Sequence, residues 1–366
     1  MSLPTRSRGI AVYPDRPGAI HRTEVEVPTV GPNDVLIETV RVGVCGTDRE
    51  IIHGTIGAPQ EGADELVLGH ELLGRVRAIG DAVHDLAEGS FVTATVRRPD
   101  SCPACRAGQP DMCVWGKYEE RGIVGLHGFM QEHIVERRDD VIPVPDELEP
   151  VGVLVEPLTV IEKSLRHVDL VQSARMPWWE AKTALVLGAG PIGILGTMLL
   201  RSRGVEVITA ARSEQPNLSA SVIEGAGATY LSTREASLDS AAKRLGQIDV
   251  IIDCSGASGV GFDAMRLLGV NGALVLLSIN AGGHRVEIPA DAINNGIVAG
   301  NKTIIGIVNA GQEDFASAVQ HLGRFEELWP GLLSRMFTAR IPFDGDVESI
   351  IEKSPGSIKT LIEFGG

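Results

Sequence analysis

The sequence predicts an α/β protein of two parts, a β-rich domain and a doubly wound parallel sheet. Three observations carry this. The chain has 366 residues, more than one hydrophobic core usually serves. Its first portion is built of short β-type runs broken by Gly, Pro and Asp. From Thr183 onward, strand and helix signals alternate, the pattern of a parallel sheet with crossover helices.

In chain order, the runs 35–42 and 91–96 read as strands of a barrel-like β domain. Near Leu148 the texture changes, with a helix expected over 162–171 and a linker over 173–182 that carries Pro177, Trp178 and Trp179. A strand at 183–187, a helix at 192–203 and a strand at 205–209 follow. Further strands are expected at 249–253, 273–278 and 303–308. From Gln312 the tail reads as helix and then as β-type runs that pack back on the first domain. The expected division is residues 1–181 completed by 310–366, and residues 182–309.

Composition narrows the function classes. A formal net charge of −15 argues against a partner that is a nucleic-acid phosphate backbone. No apolar run approaches the ~20 residues of a membrane span, so no membrane partner is expected. The start, Met1-Ser2-Leu3-Pro4-Thr5-Arg6, has no apolar stretch with a small-residue cleavage site, so no signal peptide is expected. Three of the five cysteines fall within a dozen residues, a spacing that reads as metal binding in a reducing compartment. The expected location is the cytoplasm.

Gly188-Ala189-Gly190-Pro191-Ile192-Gly193 is G-x-G-x-x-G between a strand and a helix. The first glycine allows the turn and the second lets backbone approach a pyrophosphate. The third permits close helix packing, and the helix N-terminus faces the phosphates. After the second strand, where NAD enzymes place an acid for the ribose 2′-hydroxyl, the chain reads Thr209-Ala210-Ala211-Arg212-Ser213. Arg212 offers a guanidinium and Ser213 a hydroxyl to a 2′-phosphate, so NADP is favoured, with NAD as the alternative. Glu206 falls too early, inside the strand.

Two constellations read as metal sites. Cys45 in Gly43-Val44-Cys45-Gly46-Thr47-Asp48, together with His70 and a carboxylate, fits an open catalytic zinc site. Such an ion would polarise a substrate oxygen, and Thr47 could relay its proton. A buried cysteine and a structural histidine are the alternative reading. Cys102-Pro103-Ala104-Cys105 with Cys113 suggests a second, structural zinc over a redox or chance cluster; it lacks a fourth thiolate, so either Asp100 or Asp111 completes it or the site is degenerate.

Together these motifs resemble the zinc-dependent medium-chain alcohol dehydrogenases, and within them the archaeal-type glucose (aldose) 1-dehydrogenases. The resemblance spans essentially the whole chain. It is carried by residues 45–50, Val67-Leu68-Gly69-His70-Glu71, Val96-Arg97-Arg98-Pro99, residues 118–123 and Gly128-Phe129-Met130. Glu156-Pro157-Leu158, the glycine motif and residues 301–306 add to it. It implies a GroES-like β-rich catalytic domain and a Rossmann domain. It also implies Cys45, His70 and Glu71 as catalytic-zinc positions, Glu156 as a metal-associated acid, and Thr47 as the proton relay. Glu120 matches an acid that contacts sugar hydroxyls, Asn309 an asparagine near nicotinamide and substrate, and Arg212 a 2′-phosphate contact. Three departures stand out. Pro99 replaces the first of four lobe cysteines, Val96 replaces a sugar-touching asparagine, and Ala211 and Ser213 replace an Asn and a second Arg.

The expected reaction is oxidation of the anomeric hydroxyl of glucose or a related aldose to the aldonolactone by a homodimer or homotetramer. The rivals are a polyol or secondary-alcohol dehydrogenase and a non-catalytic NADPH-binding protein. Read without the resemblance, Glu119-Glu120 would be a solvated surface pair and Asn309 a strand-end cap.

Overall fold

The structure, a computed structural model, describes residues 3–279, 283 and 285–365. It contains two compact units. The first comprises 1–159, 309–322 and 337–366, and the second comprises 160–308 and 323–336. The sequence-based division differs in extent: it gave 160–181 and 323–336 to the first domain and residue 309 to the second.

In the first unit, the strand Asp34–Val44 is the spine of a seven-stranded sheet. It pairs antiparallel with Glu71–Ile79, His133–Arg137 and Lys359–Glu363. The C-terminal run therefore packs back on the N-terminal β domain, as the sequence suggested. Val35, Ile37 and Val42 on the spine strand, whose ladder is interrupted by register shifts at Leu36/Ile37 and Thr39/Arg41, join a core that includes Leu72, Val76, Val92, Phe129 and Ile362. The expected strand 91–96 is shorter, Phe91–Ala94, and pairs with Val141–Val144.

A buried ion cluster crosses this unit. Glu136 accepts from Arg121 Nε at 2.6 Å and pairs with Arg98 Nη2 at 2.8 Å. Burial alone would raise its pKa, but the two guanidiniums outweigh that and hold it below the ordinary value. The stabilisation is thus complete above the unfolded-state pKa of about 4.3 and fades as pH falls through the lower folded-state value. Replacing Glu136 by Gln removes the shared partner of two half-buried guanidiniums, of which Arg98 keeps Asp140, and is expected to cost about 1–3 kcal/mol at neutral pH. Urea unfolding at pH 7 and pH 4 checks both statements, because the variant should lose less stability than the parent on acidification.

The second unit holds a six-stranded, all-parallel sheet. Its order is Thr229–Ser232, Glu206–Ala211, Thr183–Leu187, Val250–Asp253, Ala273–Leu276 and Thr303–Gly306. This is the doubly wound order with the switch point beside the first strand. Unbroken burial of residues 184–187 and 250–253 fits strands covered on both faces. The helix expected at 162–171 is longer, Val155–Arg175, and takes in part of the expected linker. The strand Thr229–Ser232 was not expected, because this edge strand has only Tyr230 and Leu231 between two hydroxyl residues and lacks the continuous apolar run of the inner strands. Among the described residues no helix is long and apolar enough to cross a membrane.

Candidate functional site

The strand Asp34–Val44 stops at Cys45, which caps the short helix Gly46–Ile52. Asp48 in the first turn of that helix is fully buried and accepts the Cys45 N–H at 2.7 Å. Its other oxygen accepts from Gly69 N–H at 3.2 Å and lies 3.5 Å from His70 Nδ1. One carboxylate thus fixes two chain segments that carry ligand atoms. With Nδ1 turned to Asp48, Nε2 is the nitrogen left for an ion. Cys45, His70 and Glu71 each offer a ligand atom, all within 4.8 Å of one another. Burial works against charge on both Asp48 and His70, yet each sustains the other. The aspartate is held below its ordinary pKa, and Asp48 and Cys45 raise the histidine well above its own.

Glu71 has a second partner that sequence reasoning missed. Lys359 Nζ donates to its two oxygens at 2.7 and 2.6 Å, and both residues are buried. A Cβ on Gly43, across the strand pair, would collide with this carboxylate. Glu156, in the first turn of Val155–Arg175, is not among the clustered ligands. Desolvation, with some help from Glu71 and Asp48, nonetheless pushes its pKa up to about 7 against the pull of His70 and Lys359. Thr47 is half-buried and its hydroxyl has no hydrogen-bond partner among the described residues.

The second cluster assembles Asp100, Cys102, Cys105 and Cys113, with ligand atoms again within 4.8 Å. Cys102 Sγ and Cys113 Sγ lie 3.8 Å apart, and Cys113 Sγ donates to Asp100 at 3.1 Å. Zinc–sulfur bonds of about 2.3 Å at tetrahedral angles put sulfurs about 3.8 Å apart, so the donor set fits that ion and not a disulfide. Of the two acids weighed for the fourth position, Asp100 joins the thiols and Asp111 does not. Burial and the bonds from Asp100 and Cys102 push the Cys105 thiol up to about 12, a crowding that a cation would relieve.

Glu119 and Glu120 differ sharply: Glu119 is exposed, whereas Glu120 is 8% exposed. Asn309, at φ 57°, donates from Nδ2 to Glu120 Oε1 at 2.8 Å, while its own Oδ1 accepts from Ala310 N–H. It therefore holds the next residue's N–H, three positions past the strand Thr303–Gly306, and is a partner of Glu120.

In the second unit, Gly188 makes the turn at φ 110°, and a Cβ on Gly193 would strike the Gly188 carbonyl. Space around Gly190 is open, and the helix Pro191–Ser202 begins there, through Pro191 and Ile192, without a side-chain cap. Its free N–H groups suit a pyrophosphate. Arg212 and Ser213 are exposed just beyond the strand Glu206–Ala211, where Tyr230 donates to the Ser213 carbonyl at 2.7 Å. Glu206 is the first, solvent-facing residue of that strand.

Residues 31–146 match the alcohol dehydrogenase GroES-like domain, and residues 149–364 match the glucose dehydrogenase C-terminus. Glucose 1-dehydrogenase of Methanocella arvoryzae is 37% identical over 360 residues, covering 98% of this chain and 99% of that protein. The glucose 1-dehydrogenase of Thermoproteus tenax is 36% identical over 345 residues, covering 94% and 96%. The structure of Haloferax mediterranei glucose dehydrogenase in complex with NADP, Zn and gluconolactone is similar with a TM-score of 0.89 at 32% identity, covering 98% of this chain and 99% of that one. With a GroES-like unit, a parallel dinucleotide-type sheet and two clusters of zinc-type ligands, the chain belongs to the glucose dehydrogenase family of the zinc-dependent medium-chain dehydrogenases.

Proposed function

We propose that the protein oxidises the C1 hydroxyl of glucose or a related aldose to the aldonolactone, using zinc and NADP. The observation that carries this reading is the Cys45–His70–Glu71 ligand set held by Asp48, in the same unit as a buried, oriented acid for sugar hydroxyls at Glu120. When bound, zinc supplies Lewis acidity toward the hydroxyl oxygen and NADP supplies the hydride acceptor.

The chain's own residues do the rest. Cys45, His70 and Glu71 would hold the ion, with Glu156 near enough to share its charge. Thr47 relays the C1 hydroxyl proton from its unpartnered hydroxyl. Glu120 accepts sugar hydroxyls, and Asn309 steadies it. Asp100 with Cys102, Cys105 and Cys113 would hold a second, structural zinc. We assign chemistry to the first unit and dinucleotide binding to the second, with Gly188, Gly190, Pro191, Ile192 and Gly193 at the pyrophosphate. The clustered free thiols suit a cytoplasmic enzyme, and the family favours a homodimer or homotetramer.

The test is product analysis. Zinc-replete protein given glucose and NADP should form NADPH and a lactone whose hydrolysis releases acid. NADPH formation on polyols alone would contradict the reading. Arg212→Glu should raise the KM for NADP on the order of tenfold to a hundredfold, the scale of a lost charge-assisted bond, while changing that for NAD far less. Initial rates against each cofactor check this.

A further inference from the structure

Arg97 has no place in the reading above, yet it is the most heavily engaged side chain beside Glu120. It lies across the antiparallel pair of Arg97–Arg98 and Glu119–Arg121, directly opposite Glu120 in register. Its Nε and Nη2 both reach Glu120 Oε1, each at 2.9 Å. Asn309 Nδ2 reaches the same oxygen. Three donors therefore converge on Oε1, while Oε2 has no protein donor among the described residues.

The guanidinium is itself immobilised. It stacks on Tyr118, 3.6 Å from the ring centroid, and Arg97 is 5% exposed. Its remaining nitrogen, Nη1, points to the carbonyls of Asp111 at 3.3 Å and Pro110 at 3.5 Å. Those carbonyls belong to the turn Pro110–Met112 that delivers Cys113 to the second metal cluster.

We propose that Arg97 is a positioning residue for substrate: it keeps Glu120 turned so that Oε2 alone faces the sugar, and it anchors that carboxylate to the turn before Cys113. A planar fork of donors holds a carboxylate's orientation, whereas a single ammonium cannot. This rests on the proposed role of Glu120.

The experiment measures kcat and KM for glucose at saturating NADP in the zinc-replete parent, Arg97→Met, Arg97→Lys, Glu120→Gln and the double variant Arg97→Met/Glu120→Gln. Arg97→Met should raise the KM for glucose on the order of tenfold to a hundredfold, the span for losing hydrogen bonds to a charged group, with kcat and the KM for NADP changed by less than about threefold. Arg97→Lys should recover part of the loss. The double variant should be scarcely worse than Glu120→Gln alone, because both changes disable one device. Should Arg97→Met fail to fold, Arg97→Lys carries the test, with a smaller rise in KM.

A normal glucose KM in folded Arg97 variants, beside a raised one in Glu120→Gln, overturns the role of Arg97 alone. A normal KM in Glu120→Gln overturns the role of Glu120 and this proposal with it. Strictly additive effects in the double variant also overturn it.

Discussion

His70→Ala is expected to lower kcat/KM for aldose oxidation by on the order of a thousandfold or more, since a bound Lewis acid contributes several kcal/mol to such a step. The expectation comes from how few ligands there are. Cys45, His70 and Glu71 are the only such group among the described residues apart from the Asp100 cluster, so losing one leaves two. The substitution also removes the ring whose Nδ1 faces Asp48 at 3.5 Å, and Asp48 is fully buried and holds Cys45 and Gly69. Metal analysis should therefore show about one equivalent of zinc lost per chain, with the equivalent at the Asp100 cluster retained. Full metal content with parental turnover would refute the assignment.

Lys359→Met is expected to destabilise the protein by about 3–5 kcal/mol, the scale for breaking a buried pair by removing one partner. Lys359 and Glu71 are each at most 2% exposed, and the ammonium contacts both carboxylate oxygens. Burial alone would drive the lysine toward its neutral form, but Glu71 and Cys45 outweigh it and keep its pKa raised. The loss falls on the acid that belongs to the ligand set, so zinc should also exchange faster. Denaturant unfolding of the zinc-replete protein gives the stability, and the rate of zinc transfer to a chromogenic chelator gives the exchange. An unchanged unfolding midpoint would mean that the pair contributes nothing to the folded state.

What could be read ahead of the structure divides by sequence distance. The glycine motif and the three clustered cysteines are local, and a few residues at fixed spacing carry their chemistry. The strands flanking the glycine motif were equally legible, because continuous apolar runs between turn residues mark a buried parallel sheet. Cys45 and His70 are farther apart, and it was the family resemblance that joined Glu71 to them. Asp48 could have been found locally: a polar residue three positions after a helix start is the spacing of a capping box, and Asp48 indeed receives the Cys45 N–H.

Lys359 could not have been found that way. It meets Glu71 across 288 positions because the C-terminal strand returns to pair with Asp34–Val44, and no periodicity encodes which lysine faces which acid. Glu120 shows the opposite difficulty. Adjacent acids read as solvated surface, but on a strand neighbouring side chains face opposite ways, so one of such a pair can be buried. The candidate fourth position of the second cluster turned on a single residue: Pro99 stands where the family the chain resembles has a cysteine, and Asp100 beside it offers an oxygen.

The most direct measurement is a set of initial rates on zinc-replete protein, with an aldose and polyol panel crossed against NADP and NAD and proton release followed alongside. Turnover of glucose or a close aldose, with delayed acid release from lactone hydrolysis and a preference for NADP, is the expected result. Silence on every aldose beside brisk turnover of polyols or simple secondary alcohols would contradict the sugar assignment. It would leave only the metal and dinucleotide sites standing.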